Sequence, residues 1–167
     1  MLRIIPPNQI VSPMEIIGPD VRREADCEAV LRSLPNWFGI ESALQGYAKD
    51  SSTRPTFALL DGARVLAFLT LQQHFVESWE VHCIAVHAEA RNRGFGTRLL
   101  QHAEKWLVVR DARFLQVKTI APSSPSASYQ ETREFYVRRG FAPLEVFPTL
   151  WHVKNPALQY IKVLHAG

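Results

Sequence analysis

The chain has 167 residues, 47% of them hydrophobic and 21% charged, with a formal net charge of +3. That length and mix suit one soluble globular domain, set at residues 14–167 behind an N-terminal extension of residues 1–13, able to bury about two-thirds of its unfolded surface. They exclude a disordered chain, and the mild charge argues against the broad basic surface of a nucleic-acid binder. No apolar run approaches the roughly 18–20 residues of a membrane span. The first residues, Met1-Leu2-Arg3-Ile4-Ile5-Pro6-Pro7, lack the apolar core of a signal peptide. Cys27 and Cys83 stand singly in apolar contexts without a CxxC spacing. They read as buried thiols of a reducing cytoplasm, and no metal site is expected.

In chain order, Met14-Glu15-Ile16-Ile17 forms a first strand, stopped by Gly18-Pro19. A helix follows over Arg22–Ser33, with Asp20 as its N-cap. The stretch Leu34-Pro35-Asn36-Trp37-Phe38-Gly39 breaks it, and a second short helix covers Ile40–Lys49. Thr56–Leu60 and Val65–Leu71 flank Asp61-Gly62 and read as a hairpin. The segment Ser78–Val86 is extended, and a helix with Leu99, Leu100, Ala103, Trp106 and Leu107 at core spacing runs over Thr97–Val109. Phe114–Ile120 is a strand, which makes a β-α-β unit with the previous two elements and requires the two strands to be parallel. A Pro/Ser-rich loop (Pro122–Ser128), a short helix over Gln130–Arg139 with Gly140 as its C-terminal cap, and strands over Phe141–Phe147 and Leu158–Leu164 complete the chain. The order is α+β with a mixed sheet.

The most informative stretch is Arg91-Asn92-Arg93-Gly94-Phe95-Gly96, between the strand and the long helix. Glycines there let the backbone approach a ligand closely, and a helix start offers unpaired N–H groups and the positive end of its dipole. Arg91, Arg93 and Arg98 add positive charge, so a phosphate-bearing ligand is expected. Neither a dinucleotide-type GxGxxG nor a GKS/T phosphate loop is present.

Arg91-x-x-Gly94-x-Gly96, taken with the later block Phe135-Tyr136-Val137-Arg138-Arg139-Gly140-Phe141, resembles the GCN5-related N-acetyltransferase (GNAT) superfamily over about residues 20–165. The blocks LPxWFG, FLQVKT, PLE and LW…NP are similar to those of a bacterial subgroup. The resemblance implies the GNAT fold: a central mixed sheet of about six to seven strands, two parallel strands splayed apart, and about four flanking helices. It implies acetyl-CoA as cofactor, with the backbone of Arg91, Asn92, Arg93, Gly94, Phe95, Gly96 and Thr97 on the pyrophosphate and Ile84, Ala85 and Val86 along the pantetheine arm. It also implies Tyr136 as the acid beside the thioester sulfur and Glu80 as a base for the incoming amine. His82 is a second candidate base, because strict alternation puts Glu80, His82, Ile84 and Val86 on one strand face and Val81, Cys83 and Ala85 on the other. On that reading Cys83 points away from the reaction, which disfavours a covalent acetyl-enzyme. Lys118 reads as a solvated charge.

One departure stands out: where the family often has Asn and Ala ahead of the tyrosine, this chain has Tyr129 and Thr132. Tyr129 is a candidate cofactor contact on the pantetheine, with contact to the acceptor or packing over the loop as the alternatives. Trp37, Phe38, Tyr47 and Trp151, with Phe147 and His152, are candidates to line an acceptor pocket. The expected activity is direct acetyl transfer to a primary amine of a small molecule. Neither membrane nor nucleic acid is expected as a partner, and the resemblance allows a homodimer. The alternative is a non-catalytic acyl-CoA-binding sensor.

Overall fold

The structure, a computed structural model, describes residues 14–165. The expected extension, residues 1–13, lies outside the described residues. The elements run β1 (Glu15–Ile17), α1 (Glu24–Arg32), α2 (Glu41–Thr53), β2 (Thr56–Asp61), β3 (Arg64–Gln73), β4 (Ser78–Val86), α3 (Phe95–Val108), β5 (Phe114–Ile120), α4 (Ala127–Arg138), β6 (Ala142–His152) and β7 (Asn155–Val163), with one 3₁₀ turn at Ala88–Ala90. Among the described residues seven strands join in one sheet, ordered β1-β2-β3-β4-β5-β7-β6. β4 and β5 pair in parallel, as the β-α-β reading requires, and the other neighbours are antiparallel.

Each sheet face carries a hydrophobic layer. Leu99, Leu100, Ala103 and Leu107 of α3 pack with Phe57, Leu59, Leu69 and Leu115 on one side. On the other, Cys27, Val30 and Leu31 of α1 and Leu44 and Ala48 of α2 pack over Ala58, Phe68, Cys83 and Ala85. The two layers hold the centre of the sheet rigidly between them.

Several boundaries differ from the sequence reading, each for a local reason. Asp20 does not cap α1: its Oδ1 accepts from Arg22 Nε (2.7 Å), and the N-cap is Arg23, which makes no side-chain cap bond. α2 runs on to Thr53 and stops where Pro55 forces Arg54 into an extended conformation (φ −113°, ψ 158°). α4 starts at Ala127 because Ser126 Oγ accepts from the Tyr129 amide, a cap hidden inside the apparent loop. β6 continues past Phe147, yet its register breaks there: Phe147 faces Ala157 and the next pair is His152 with Asn155, so residues 148–151 arch off β7.

Two irregularities in β4 shape the centre of the molecule. Thr70 faces Cys83 while Leu71 faces Val81, which leaves His82 as an extra, bulged residue. The bulge breaks the expected alternation. Beyond it Cys83 and Ala85 turn to the α1–α2 layer, whereas Ile84 and Val86 pack with Trp79 and Val81 on the α3 layer. The second irregularity is that β4 pairs with β5 only through Ser78–Phe114, Trp79–Leu115 and Glu80–Gln116. From there β4 stays with β3 up to Val86–Ala67 and β5 stays with β7 up to Ile120–Ala157, so the two parallel strands part.

Candidate active site

At the end of β4 the chain turns through residues 91–94 into α3. Gly94 is the N-cap of α3 at φ 79°, a left-handed conformation that glycine adopts without strain, and a Cβ there would meet nothing within 4 Å. None of the amides from Arg91 to Thr97 finds a backbone acceptor among the described residues; the first to do so is Arg98, whose N–H donates to Gly94 O (3.1 Å). A run of uncommitted N–H groups at a helix start is an anion cradle. Gly96 serves a different need, close packing: a Cβ there would lie 3.3 Å from the Phe135 ring, so the first turn of α3 rests directly on α4.

The parted strands open a cleft of about 630 Å³ that begins at this turn. One edge of β4 faces the gap. Because His87 N–H donates to Leu66 O (2.8 Å), alternation sends the amides of Ile84 and Val86 into the gap and that of Ala85 to β3. Val117 to Ile120 of β5 form the opposite side. Over the mouth, the α1–α2 connection is fastened to α4. Trp37 Nε1–H donates to Thr132 Oγ1 (3.1 Å) and Ser128 O (3.3 Å), and Tyr129 O–H donates to Trp37 O (3.0 Å). Arg91 stacks on the Trp37 ring at 4.3 Å and pairs with Glu131 (3.1 Å). Arg139 lies 3.9 Å over Phe135 and its Nε–H donates to Thr97 Oγ1 (2.8 Å).

The bulge aims His82 into the cleft. A carboxylate can only accept, so His82 Nε2–H donates to Asp50 Oδ2 (2.7 Å), and Nδ1 is the nitrogen left to take a proton. Tyr47 packs against the imidazole with ring centroids 5.3 Å apart. Asp50 is held in turn by Arg54 (3.5 Å). Glu80 is not among the cleft-lining residues. Its Oε2 accepts from His74 Nε2 (2.6 Å) and its Oε1 from Lys118 Nζ (3.0 Å), so both oxygens are engaged. Lys118 is accordingly not the solvated charge the sequence suggested: its side chain is only 19% exposed and borders the cleft.

Tyr136 lines the cleft with its ring buried among Phe135, Phe141 and Tyr160. Burial pushes its phenol well above the ordinary tyrosine range, with the nearby Cys83 adding to the shift. Cys83 lies on the same side of the sheet as Glu80 and His82, contrary to the simple alternation. It remains a poor nucleophile for another reason: burial raises its thiol far above the usual value, so the reactive thiolate is scarce.

The structure therefore gathers Trp37, Phe38, Tyr47, His82, Ile84, Ala85, Val86, Arg91, Gly96, Tyr129, Tyr136 and Trp151 around one cleft. Asn92, Arg93, Gly94, Phe95 and Thr97 belong to the adjoining turn and do not line it, nor do Phe147 and His152. Asp50, Lys118, Leu150 and Ile40 were not legible as site residues. Asp50 sits 32 residues from His82, and only the bulge and the long α2 bring them together.

Comparison with known proteins agrees with this geometry. No curated protein matches the chain significantly. Among solved structures, a GNAT-family acetyltransferase structure from Desulfovibrio desulfuricans has a TM-score of 0.78 at 14% identity, covering 91% of this chain and 99% of that one. An aminoglycoside 6'-N-acetyltransferase complexed with coenzyme A has a TM-score of 0.72 at 19% identity over 92% and 99% of the two chains. The ribosomal-protein-S18-alanine N-acetyltransferase of Escherichia coli has the same score at 18% identity over 92% and 96%. These are likenesses of fold. The model of the acetyltransferase (GNAT) family matches residues 22–141, most of the sheet and all of the cleft except the β6–β7 wall, and the chain belongs to that family.

Proposed function

We propose that this protein is an acetyl-CoA-dependent N-acetyltransferase that transfers the acetyl group directly to a primary amine of a small molecule. In this reading residues 14–167 act as one domain, in the cytoplasm. The observation that carries it is the run of uncommitted amides from Arg91 to Thr97, set where β4 parts from β5. The residues present fit coenzyme A. The amides and the start of α3 would hold the pyrophosphate, and open space over Gly94 admits it. The gap-facing amides of Ile84 and Val86 would pair with the pantetheine and polarise a carbonyl oxygen. The cofactor supplies an acyl group activated on sulfur.

The chain's own groups then divide the proton handling. His82 Nδ1 takes the proton of the incoming ammonium, while Asp50 fixes the ring and stabilises the imidazolium that results. Glu80 holds Lys118 and His74, so the base role falls to His82. Tyr136, whose phenol burial raises, holds its proton tightly and would offer a hydrogen bond to a thioester sulfur bound in this cleft. An alkyl thiol titrates near 8.5, far below the buried phenol, so full proton transfer from Tyr136 would be uphill. The tyrosine would therefore stabilise a leaving thiolate by hydrogen bonding, without giving up its proton. Tyr129 acts indirectly, by fastening Trp37 over the mouth. A homodimer is part of this reading, supported by the exposed apolar Leu144 and Val146 on the edge strand β6.

A binding-only sensor would need the turn alone; His82 paired with Asp50 and Tyr136 on the same cleft favours an enzyme. Thiol release from acetyl-CoA over a broad panel of amines tests this. Amine-dependent release supports transfer, and tight coenzyme A binding without release on any amine would support the sensor.

A further inference from the structure

The cleft beyond His82 is built for a particular kind of amine. We propose that the acceptor is a monoamine carrying an aromatic or branched apolar body, with the amine at His82 and the body between Phe38, Tyr47 and Ile40 on one side and Leu150 and Trp151 on the other. This rests on the acetyl-transfer reading above and names the substrate class of the same site.

Three observations carry it. First, the wall leading away from His82 is continuous and apolar. Tyr47 packs tilted on His82 at 5.3 Å and Phe38 packs edge-on to Tyr47 at 5.9 Å, forming an aromatic path from the imidazole outward. Second, both rims leave large apolar side chains in water: Ile40 is 63% exposed, Leu150 52% and Trp151 47%, and all three border the cleft. The last two stand on the arch at residues 148–151, where β6 gives up its ladder with β7. Exposed apolar groups converging on one cleft are the mark of an apolar ligand.

Third, the charges are wrong for an acceptor with several amines, a linear polyamine or a polyamino sugar. Among described cleft-lining residues the single carboxylate is Glu131, which is paired with Arg91. Glu80 and Asp50 do not line the cleft and are committed to Lys118, His74 and His82. A second ammonium on the acceptor would meet no free carboxylate and would lie in a cleft that already holds Arg91 and Lys118. One amine is accommodated because His82 takes its proton.

The test compares 2-phenylethylamine and tryptamine with spermidine, a diaminocyclitol and an alanine-terminated hexapeptide, at saturating acetyl-CoA. Calorimetry of 2-phenylethylamine against the protein with coenzyme A present gives a readout independent of turnover. The expected result is kcat/KM at least about tenfold higher for the aromatic monoamines. Trp151→Ala should weaken 2-phenylethylamine binding by about tenfold and leave the KM for acetyl-CoA unchanged. Ile40→Asp puts a carboxylate on the rim at the N-cap of α2, where Asp is well tolerated, and should raise kcat/KM for spermidine. Faster transfer to spermidine, the cyclitol or the peptide, or no transfer to either monoamine, would overturn the proposal. If acetyl-CoA binds and one of the polar amines is the faster acceptor, only the acceptor class fails. If acetyl-CoA does not bind, the acetyl-transfer reading fails with it.

Discussion

The two halves of the cleft are made of different material. The half at residues 84–97 presents backbone: amides that no strand or helix uses, at a turn whose shape glycine permits. The other half presents side chains brought from α1–α2, β4, α4 and the β6–β7 hairpin, segments far apart in sequence. A backbone site depends on conformation and tolerates many side chains, so it can stay the same while the acceptor wall changes. On the proposed reading, the donor side can stay constant while side chains of the other half set the amine. The same contrast says where substitutions should act: side chains of the second half should govern the chemistry and the acceptor, and only changes of backbone shape should reach the donor.

The largest effect expected within the second half is at His82. His82→Asn should lower kcat by roughly 10²–10⁴, abolish the acid limb of the pH–rate profile and leave acetyl-CoA affinity unchanged. A retained acid limb would pass the base role to another group. Tyr136→Phe removes one hydrogen bond to a charged leaving group and should cost about 10–100-fold in kcat, on the order of 1.5–3 kcal/mol. Equal loss of cofactor affinity would place that tyrosine in binding instead.

Glu80→Gln sharpens the contrast between the two candidate bases. It strips a carboxylate from Lys118 and His74 and should lower stability by about 1–3 kcal/mol, seen as an earlier denaturant midpoint. The shape of the pH–rate profile should survive; flattening of its acid limb would return the base role to Glu80.

The smallest expected effect is spectroscopic. Burial raises all four tyrosines, Tyr47 to about 12, with Tyr129, Tyr136 and Tyr160 shifted in the same direction. A raised phenol binds its proton more tightly in the folded state. Its contribution is therefore complete below the unfolded value near 10 and is lost as pH rises through the folded one. Absorbance near 295 nm should show little phenolate at pH 10, with ionisation and unfolding advancing together toward pH 12. Normal titration of Tyr47 near 10 would mean an open, hydrated acceptor wall.

The backbone half was largely legible because its signal is local. Arg91-x-x-Gly94-x-Gly96 between a strand and a helix states a turn and a helix start within a few residues, and the parallel pairing of β4 with β5 follows from chain order alone. What failed was alternation through β4. A bulge leaves no mark in composition, and the single extra residue at His82 turned Cys83 onto the face the sequence assigned to Ile84. The partners Asp50 and Lys118 were missed because each contact depends on tertiary placement: α2 had to run past Lys49, and β5 had to lie in register with Glu80. The strand expected over Phe141–Phe147 runs on to His152, with an arch at residues 148–151 that carries Leu150 and Trp151 to the cleft and leaves no periodic trace in the sequence.

The central claim is that the turn at Arg91–Thr97 binds acetyl-CoA through its backbone, and calorimetry of acetyl-CoA with the wild-type protein and with Gly94→Val tests it most directly. A β-branched residue at φ 79° is strained, and its side chain would fill the open space over the turn. The account predicts one-to-one binding by the wild type and an affinity loss of at least about 100-fold, near 2.7 kcal/mol, in a variant whose thermal melt remains cooperative. Unaltered affinity in the folded variant, or no binding by the wild type, would contradict it.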